Sequence, residues 1–337
     1  MSRQKVTPEP KFTTDVPSLG LIKGGKGSAP SQSQSPIDLR STRVEEFLGA
    51  NALSPNTQRA YRQDLKVFLE WTNTGWETVT PLQVEKFKEY ISTSPSAGKT
   101  KGKAKGKPRS SATISRILGT LKNFYQWLLD SEYVTRNPTR RVKAPKLPEP
   151  EAQNLSIDQV KRIIEATAQT NLETRNLALI AVLLHGLRAG EVSSLNVSDY
   201  EGERVRIRKA KADSKGKVPL AKEGQQAVDR YLQWRKERGD ILEPDSPLFL
   251  SHSRRNDGDR LTYDAIHNIV SQISELSGID FHAHQLRHTF ATNMVLEGMN
   301  PQHVMVMTRH KSSSSFKRYI TAAEQQAAEK EFRRFEG

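Results

Sequence analysis

Residues 281–292 read FHAHQLRHTFAT. At 3.6 residues per turn, His284 and Arg287 share one helical face, and His288 lies one turn beyond His284. A permanent cation and a proton-transferring imidazole three residues apart can address the same phosphate. The His284–His288 spacing is also that of a helical metal pair. No Glu lies between them, however, and no third ligand is evident in the sequence. Taken alone, His288 reads as a buried histidine bonded to backbone.

Two further stretches carry comparable chemistry. HGLRAGEVSSL, residues 185–195, sets Arg188 at a turn between helices marked by Gly186 and Gly190. The planar guanidinium suits phosphate oxygens, and Glu191, three residues on, can hold it in position. The same pair also fits a purely structural ion pair. RHKSSSSFKRYI, residues 309–320, puts His310 nine residues before Tyr319, a tyrosine set among basic side chains. By itself Tyr319 reads equally as surface or core packing.

Composition narrows the partners. The 337 residues carry 52 Lys+Arg against 38 Asp+Glu, a formal charge of +14, which favours a polyanion such as nucleic acid or an acidic membrane surface. No apolar run approaches the roughly 20 residues of a membrane span, and the N-terminus lacks the apolar core of a secretory signal. A cytoplasmic, nucleoid-associated protein is expected. With no cysteine in the chain, disulfides, thiolate ligands and cysteine nucleophiles are excluded. GLIKGGKG, residues 20–27, imitates a phosphate-cradling loop, but Gly27 replaces the required Ser or Thr and SAPSQSQSP follows where a helix should begin.

The order of signals along the chain predicts two domains. Residues 1–38, rich in Ser, Pro, Gly and Lys, read as a disordered basic tail. Residues 39–138 read as a small helical domain. Its clearest helical signals are Ser54-Pro55 before Tyr61, Leu65, Phe68 and Leu69, then Thr80-Pro81 before Val84, Phe87 and Ile91, then the periodic run Ile114 to Leu128. A Lys-rich loop over 97–110 interrupts it. There Lys99, Lys101, Lys103, Lys105, Lys107 and Arg109 alternate with small residues, as a solvated loop or as an arm laid along phosphates. Residues 139–150 read as a linker and 151–337 as the second domain. In that domain RVRIR (204–208) and KVPL (217–220) form a β-hairpin within otherwise helical sequence.

Taken together and in this order, GLRxGE, the hairpin ending in VPL, HxxRHTFAT and a His nine residues before a Tyr resemble the tyrosine recombinases, the phage-integrase and Xer-like family. The match runs over most of residues 150–325 and, more weakly, through the helical region before it. The resemblance implies a mainly α fold with a small β-hairpin. It implies a two-domain clamp, an N-terminal SAM-like core-binding domain and a C-terminal catalytic domain, closing on double-stranded DNA. It makes Arg188 and Arg287 the phosphate-clamping arginines, His284 and His310 the two histidines, Tyr319 the nucleophile and Glu191 a buttress. The family's hairpin lysine falls on Lys211 by its interval to Val218, with Lys209 as the alternative. Arg309 departs from the family, whose members usually carry Gly there.

The implied activity is site-specific cleavage and rejoining of DNA through a 3′-phosphotyrosyl intermediate. It needs no metal, because two guanidiniums with one or two imidazoles neutralise the phosphate charge in its place, and no ATP, because the covalent ester stores the broken bond. A homotetramer on DNA, monomeric or dimeric when free, is implied as well. The helix after Thr321, with Ala322, Ala323, Ala327, Ala328 and Phe332, is either exchanged between protomers or packed on its own domain. Two rivals share the fold: a type IB-like topoisomerase, and a catalytically silent DNA-binding protein.

Overall fold

The computed structural model describes residues 38–94, 108–147, 154–208 and 215–336. It divides into two compact units between Leu147 and Pro148. The Lys-rich stretch 98–107, the tail before Asp38, and Lys209 and Lys211 all lie outside the described residues.

The first unit holds four helices: α1 (Leu39–Ala50), α2 (Pro55–Trp71), α3 (Pro81–Thr93) and α4 (Ser111–Asp130). Their starts follow from capping chemistry. Ser54 Oγ accepts from Thr57 N at 3.2 Å, with Pro55 at the first helical position. Thr80 and Gln83 form a reciprocal capping box, and Ser110 caps α4. α1 is an element the sequence reading did not single out. Its cap, Asp38, sits at the edge of the tail, and only Val44, Phe47 and Leu48 on it are buried. The core is aromatic: Phe68 stacks on Trp76 at 5.3 Å and meets Phe87 edge-on at 4.8 Å, while Phe124 meets Trp76 at 4.7 Å. Buried Asp64 ties α2 to α4, accepting from Arg116 at 2.6 Å and Thr120 at 2.8 Å.

The second unit continues with α5 (Ile157–Ala168), α6 (Glu173–Leu184), α7 (Ala189–Ser193), β1 (Arg204–Ile207), β2 (Gly216–Pro219), α8 (Lys222–Glu237), α9 (Tyr263–Ser277), α10 (Ala283–Leu296), α11 (Pro301–Thr308) and α12 (Ser313–Glu336). Helix α6 is apolar on most sides because it lies at the centre, packed by α5, α8 and α10, with Leu179, Ile180, Val182 and Leu183 buried. The strands pair antiparallel, Val205 opposite Val218. Alternation sends Val205 and Ile207 into the core and Arg204 and Arg206 outward. A smaller core of Ala291, Val304, Phe316 and Tyr319 joins α10, α11 and α12. Among the described residues no helix is long and apolar enough to cross a membrane.

Candidate active site

The turn between α6 and α7 positions the first arginine. Gly186 has φ +81°, and a Cβ there would come within 2.8 Å of Phe290 Cδ1, so both backbone and space require glycine. Its carbonyl accepts from Arg287 Nη1 and, at 3.3 Å, from Arg309 Nη2. Arg188 follows. Its Nη1 donates to Glu191 Oε1 at 2.7 Å, while its backbone N–H donates to Glu191 Oε2 at 2.8 Å. The carboxylate thus caps α7 and orients the guanidinium at once.

Helix α10 delivers the second arginine. Arg287 is fully buried, and its Nη2 donates to the carbonyl of Thr308. Arg188 Nη2 donates to the next carbonyl, that of Arg309, at 3.4 Å. The end of α11 therefore draws together two guanidiniums that lie about a hundred residues apart in sequence. Arg287 Nε is buried without a partner among the described residues. Burial, then the charges of Arg188 and Arg309, push Arg287 down to about 9, so it remains a cation at neutral pH.

Tyr319, on α12, is fully enclosed. Its Oη meets Arg318 Nη2 at 3.1 Å and His310 Nε2 at 3.5 Å, and its ring packs on His288 and Phe316 at 5.0 Å each. His310 is held from behind by a 2.7 Å contact of its Nδ1 with Thr308 Oγ1. That hydroxyl donates its one proton to Val304 O at 2.6 Å, so it accepts from Nδ1–H and leaves Nε2 with a free lone pair facing the phenol. Burial first, then Arg287 and Arg188, lower His310 to about 3, so the ring is neutral at physiological pH.

His284 lines a cleft of about 790 Å³ together with Arg188, Tyr263, His267 and His282. Burial and then Arg287 and Arg318 lower it to about 4, but part of its ring stands in solvent, which moderates that fall. His288 departs from its sequence reading. It is buried, but among the described residues its Nδ1 has no partner, and the ring instead meets His284 edge-on at 4.5 Å. Among the described residues no group of three or more His, Asp or Glu is gathered for a metal ion.

Thr308 and Arg318 went unread in the sequence, and Arg309 was read only as a departure from the family's Gly. Arg309 has φ +55°, the left-handed conformation that favours glycine. Its guanidinium folds inward, donating to Glu191 Oε2 at 2.6 Å and Met307 O at 2.7 Å. Its alkyl stem crosses Gly216 at the start of β2. The left-handed turn was legible only as a family preference for Gly, and no spacing rule signals that an arginine there turns inward.

Of the proposed phosphate-binding arm, Arg109 alone is described. It donates to the carbonyls of Ser94 at 3.1 Å and Ile91 at 3.4 Å, closing the end of α3. Lys101, Lys103, Lys105 and Lys107 lie outside the described residues, as does Lys211. α12 buries Ala323 on its own domain, whereas Phe332 and Phe335 are exposed.

Comparison with known proteins identifies the family. A model of the phage integrase family matches residues 153–326, and one of the phage integrase N-terminal SAM-like domain matches residues 44–132. The tyrosine recombinase XerC of Thermodesulfovibrio yellowstonii is 27% identical over 277 residues, covering 79% of this chain and 85% of its own length. XerD of Proteus mirabilis is 28% identical over 293 residues, covering 83% and 88% respectively. The lambda integrase tetramer bound to a Holliday junction shares the fold, with a TM-score of 0.65 at 17% identity over 87% of this chain and 79% of that one. Both halves of the molecule and the order of its site residues thus lead to one family: the chain belongs to the phage integrase family of tyrosine recombinases.

Proposed function

We propose that this chain is a site-specific DNA recombinase in which Tyr319 attacks a backbone phosphorus, forming a 3′-phosphotyrosyl ester and releasing a 5′ hydroxyl. The observation that carries this reading is the convergence of Arg188 and Arg287 on the adjacent carbonyls of Thr308 and Arg309, with the Tyr319 phenol held by His310 beside them. Attack concentrates negative charge on the nonbridging oxygens. Two oriented guanidiniums, one with a buried N–H still unpaired, and His284 at the cleft edge can neutralise that charge.

A proton must leave the phenol, and His310 Nε2 is the lone pair that faces it. A second proton must reach the departing 5′ oxygen. Lys211, which falls between β1 and β2 in the sequence, is our candidate for that general acid, with Lys209 as its alternative. Rejoining runs the same steps backward with a 5′ hydroxyl from the same or another strand, so the exchange needs no external energy source. Because Tyr319 is enclosed in the free chain, engagement of DNA must first uncover its oxygen.

Exchange between two duplexes cuts four strands, one tyrosine for each, and so requires four protomers on DNA from a monomer or dimer in solution. The exposed Phe332 and Phe335 on distal α12 are available to bridge neighbouring protomers. The substrate sets the place of action as the cytoplasm, at the nucleoid. The test is covalent capture. The protein is incubated with genomic DNA of its host, denatured, and the attached DNA sequenced. The reading expects one recurrent duplex sequence with the wild type and none with Tyr319→Phe; attached DNA with the mutant would refute it.

A further inference from the structure

The cluster holds four guanidiniums, and three of them have evident partners apart from Tyr319. Arg188 and Arg309 share Glu191, and Arg287 is bound to two carbonyls. Arg318 differs. Among the described residues no carboxylate or carbonyl accepts from it, its Nε is buried and unpaired, and its one hydrogen bond runs from Nη2 to Tyr319 Oη at 3.1 Å. The guanidinium carbon lies 4.9 Å from the centre of the same ring, so the cation rests on the phenol's face and edge together.

We propose that Arg318 is a further catalytic residue, the cation that holds the Tyr319 phenolate during cleavage and rejoining. The inference rests on Tyr319 being the nucleophile. An arginine only donates, so Oη accepts from Arg318, and the phenol's own proton is directed to the other neighbour, His310 Nε2. In the cleavage step the O–H bond breaks and the proton passes to His310. The negative charge stays on Oη against the Arg318 guanidinium. The Oη–P bond then forms as the P–O5′ bond breaks, and the departing oxygen takes a proton from the hairpin lysine. In rejoining, the 5′ hydroxyl gives its proton back to the hairpin lysine as its oxygen attacks phosphorus, the P–Oη bond breaks with Oη leaving as the phenolate held by Arg318, and the His310 imidazolium returns its proton to Oη.

A bystander arginine could instead bind a DNA phosphate, and the two roles separate experimentally. The probe is the duplex recovered by covalent capture, rebuilt with a nick beside the cleavage point so that cleavage is irreversible. Full-length wild type, Arg318→Ala, Arg318→Lys and Arg318→Gln are compared by single-turnover adduct formation at saturating enzyme from pH 6 to pH 10, and by DNA affinity across salt. Arg318→Ala should form adduct about 10- to 100-fold more slowly at pH 7. The deficit should shrink as pH rises toward the range, about 10, where a phenol ionises unaided, with DNA affinity and its salt slope unchanged. Arg318→Lys should recover most of the rate and Arg318→Gln little, a comparison that decides the matter even if Arg318→Ala fails to fold. Equal rates in the Lys and Gln variants, or a loss that vanishes at saturating enzyme, would overturn the inference. Absence of adduct with the wild type would instead remove the nucleophile assignment beneath it.

Discussion

Arg309 Nη2 lies 2.6 Å from Glu191 Oε2, on the carboxylate whose other oxygen holds Arg188 at 2.7 Å. Burial alone would raise the Glu191 pKa, but the charge and hydrogen bond of Arg309, joined by those of Arg188, bring it below the ordinary carboxylate value. One buried anion therefore sets the position of two cations, one at the cleft and one on the turn that carries His310.

Removing that anion strands both cations. Glu191→Ala should cost about 3–5 kcal/mol of unfolding free energy, as breaking a buried pair does. Arg309→Gly should cost far less, since Glu191 keeps Arg188 and glycine accepts the left-handed backbone without strain. Urea unfolding of the two variants checks the order; equal losses would show that Arg309, not Glu191, holds the network.

Acid should destabilise the catalytic unit before its carboxylates titrate. His288 and His310 are each held near 3, mainly by burial, against an ordinary value of 6.5. The unfolded chain then binds more protons than the folded one between those limits. Stability is full above about 6.5 and is lost as pH falls toward 3, with a slope approaching two protons. Unfolding midpoints at pH 7.5, 6 and 5 measure it. A midpoint unchanged over that range would mean that the two rings are solvated.

The Thr308 hydroxyl fixes the His310 tautomer, so its loss should disturb proton transfer more than folding. Thr308→Val should slow adduct formation about tenfold while costing about 1 kcal/mol of stability. Thr308→Ser, which keeps the hydroxyl, should restore the rate. A valine variant as fast as the serine one would leave Thr308 a packing residue.

The Lys-rich stretch supports a separable prediction about affinity. If Lys101, Lys103, Lys105 and Lys107 each neutralise one phosphate, changing all four to Gln should reduce the slope of log affinity against log salt by about 3 to 4. Adduct formation at saturating enzyme should be unchanged. A slope equal to the wild type's would show that the stretch stays off the DNA.

How much of this was written openly in the sequence depends on the kind of signal. Ser54-Pro55 and Thr80-Pro81 announce their helices because caps are local, and Arg287 and His284 share a face because helical geometry is periodic. The alternation in RVRIR gave the hairpin for the same reason. The meeting of Arg188, Arg287 and Tyr319 came from resemblance, since no local rule brings three distant segments to one turn. The inward fold of Arg309 and the contacts of Thr308 and Arg318 escaped notice because they depend on tertiary packing around a left-handed residue. His288 is buried as expected, but its ring packs on His284 and Tyr319, and among the described residues its Nδ1 finds no backbone partner.

The most direct measurement is the identity of the residue that carries DNA. After reaction with the captured duplex, nuclease and trypsin digestion followed by mass spectrometry should find a nucleotide 3′-phosphate on the peptide containing residues 319–330, with the mass carried by Tyr319. A nucleotide on any other side chain, or only unmodified peptide beside cleaved DNA, would contradict the account.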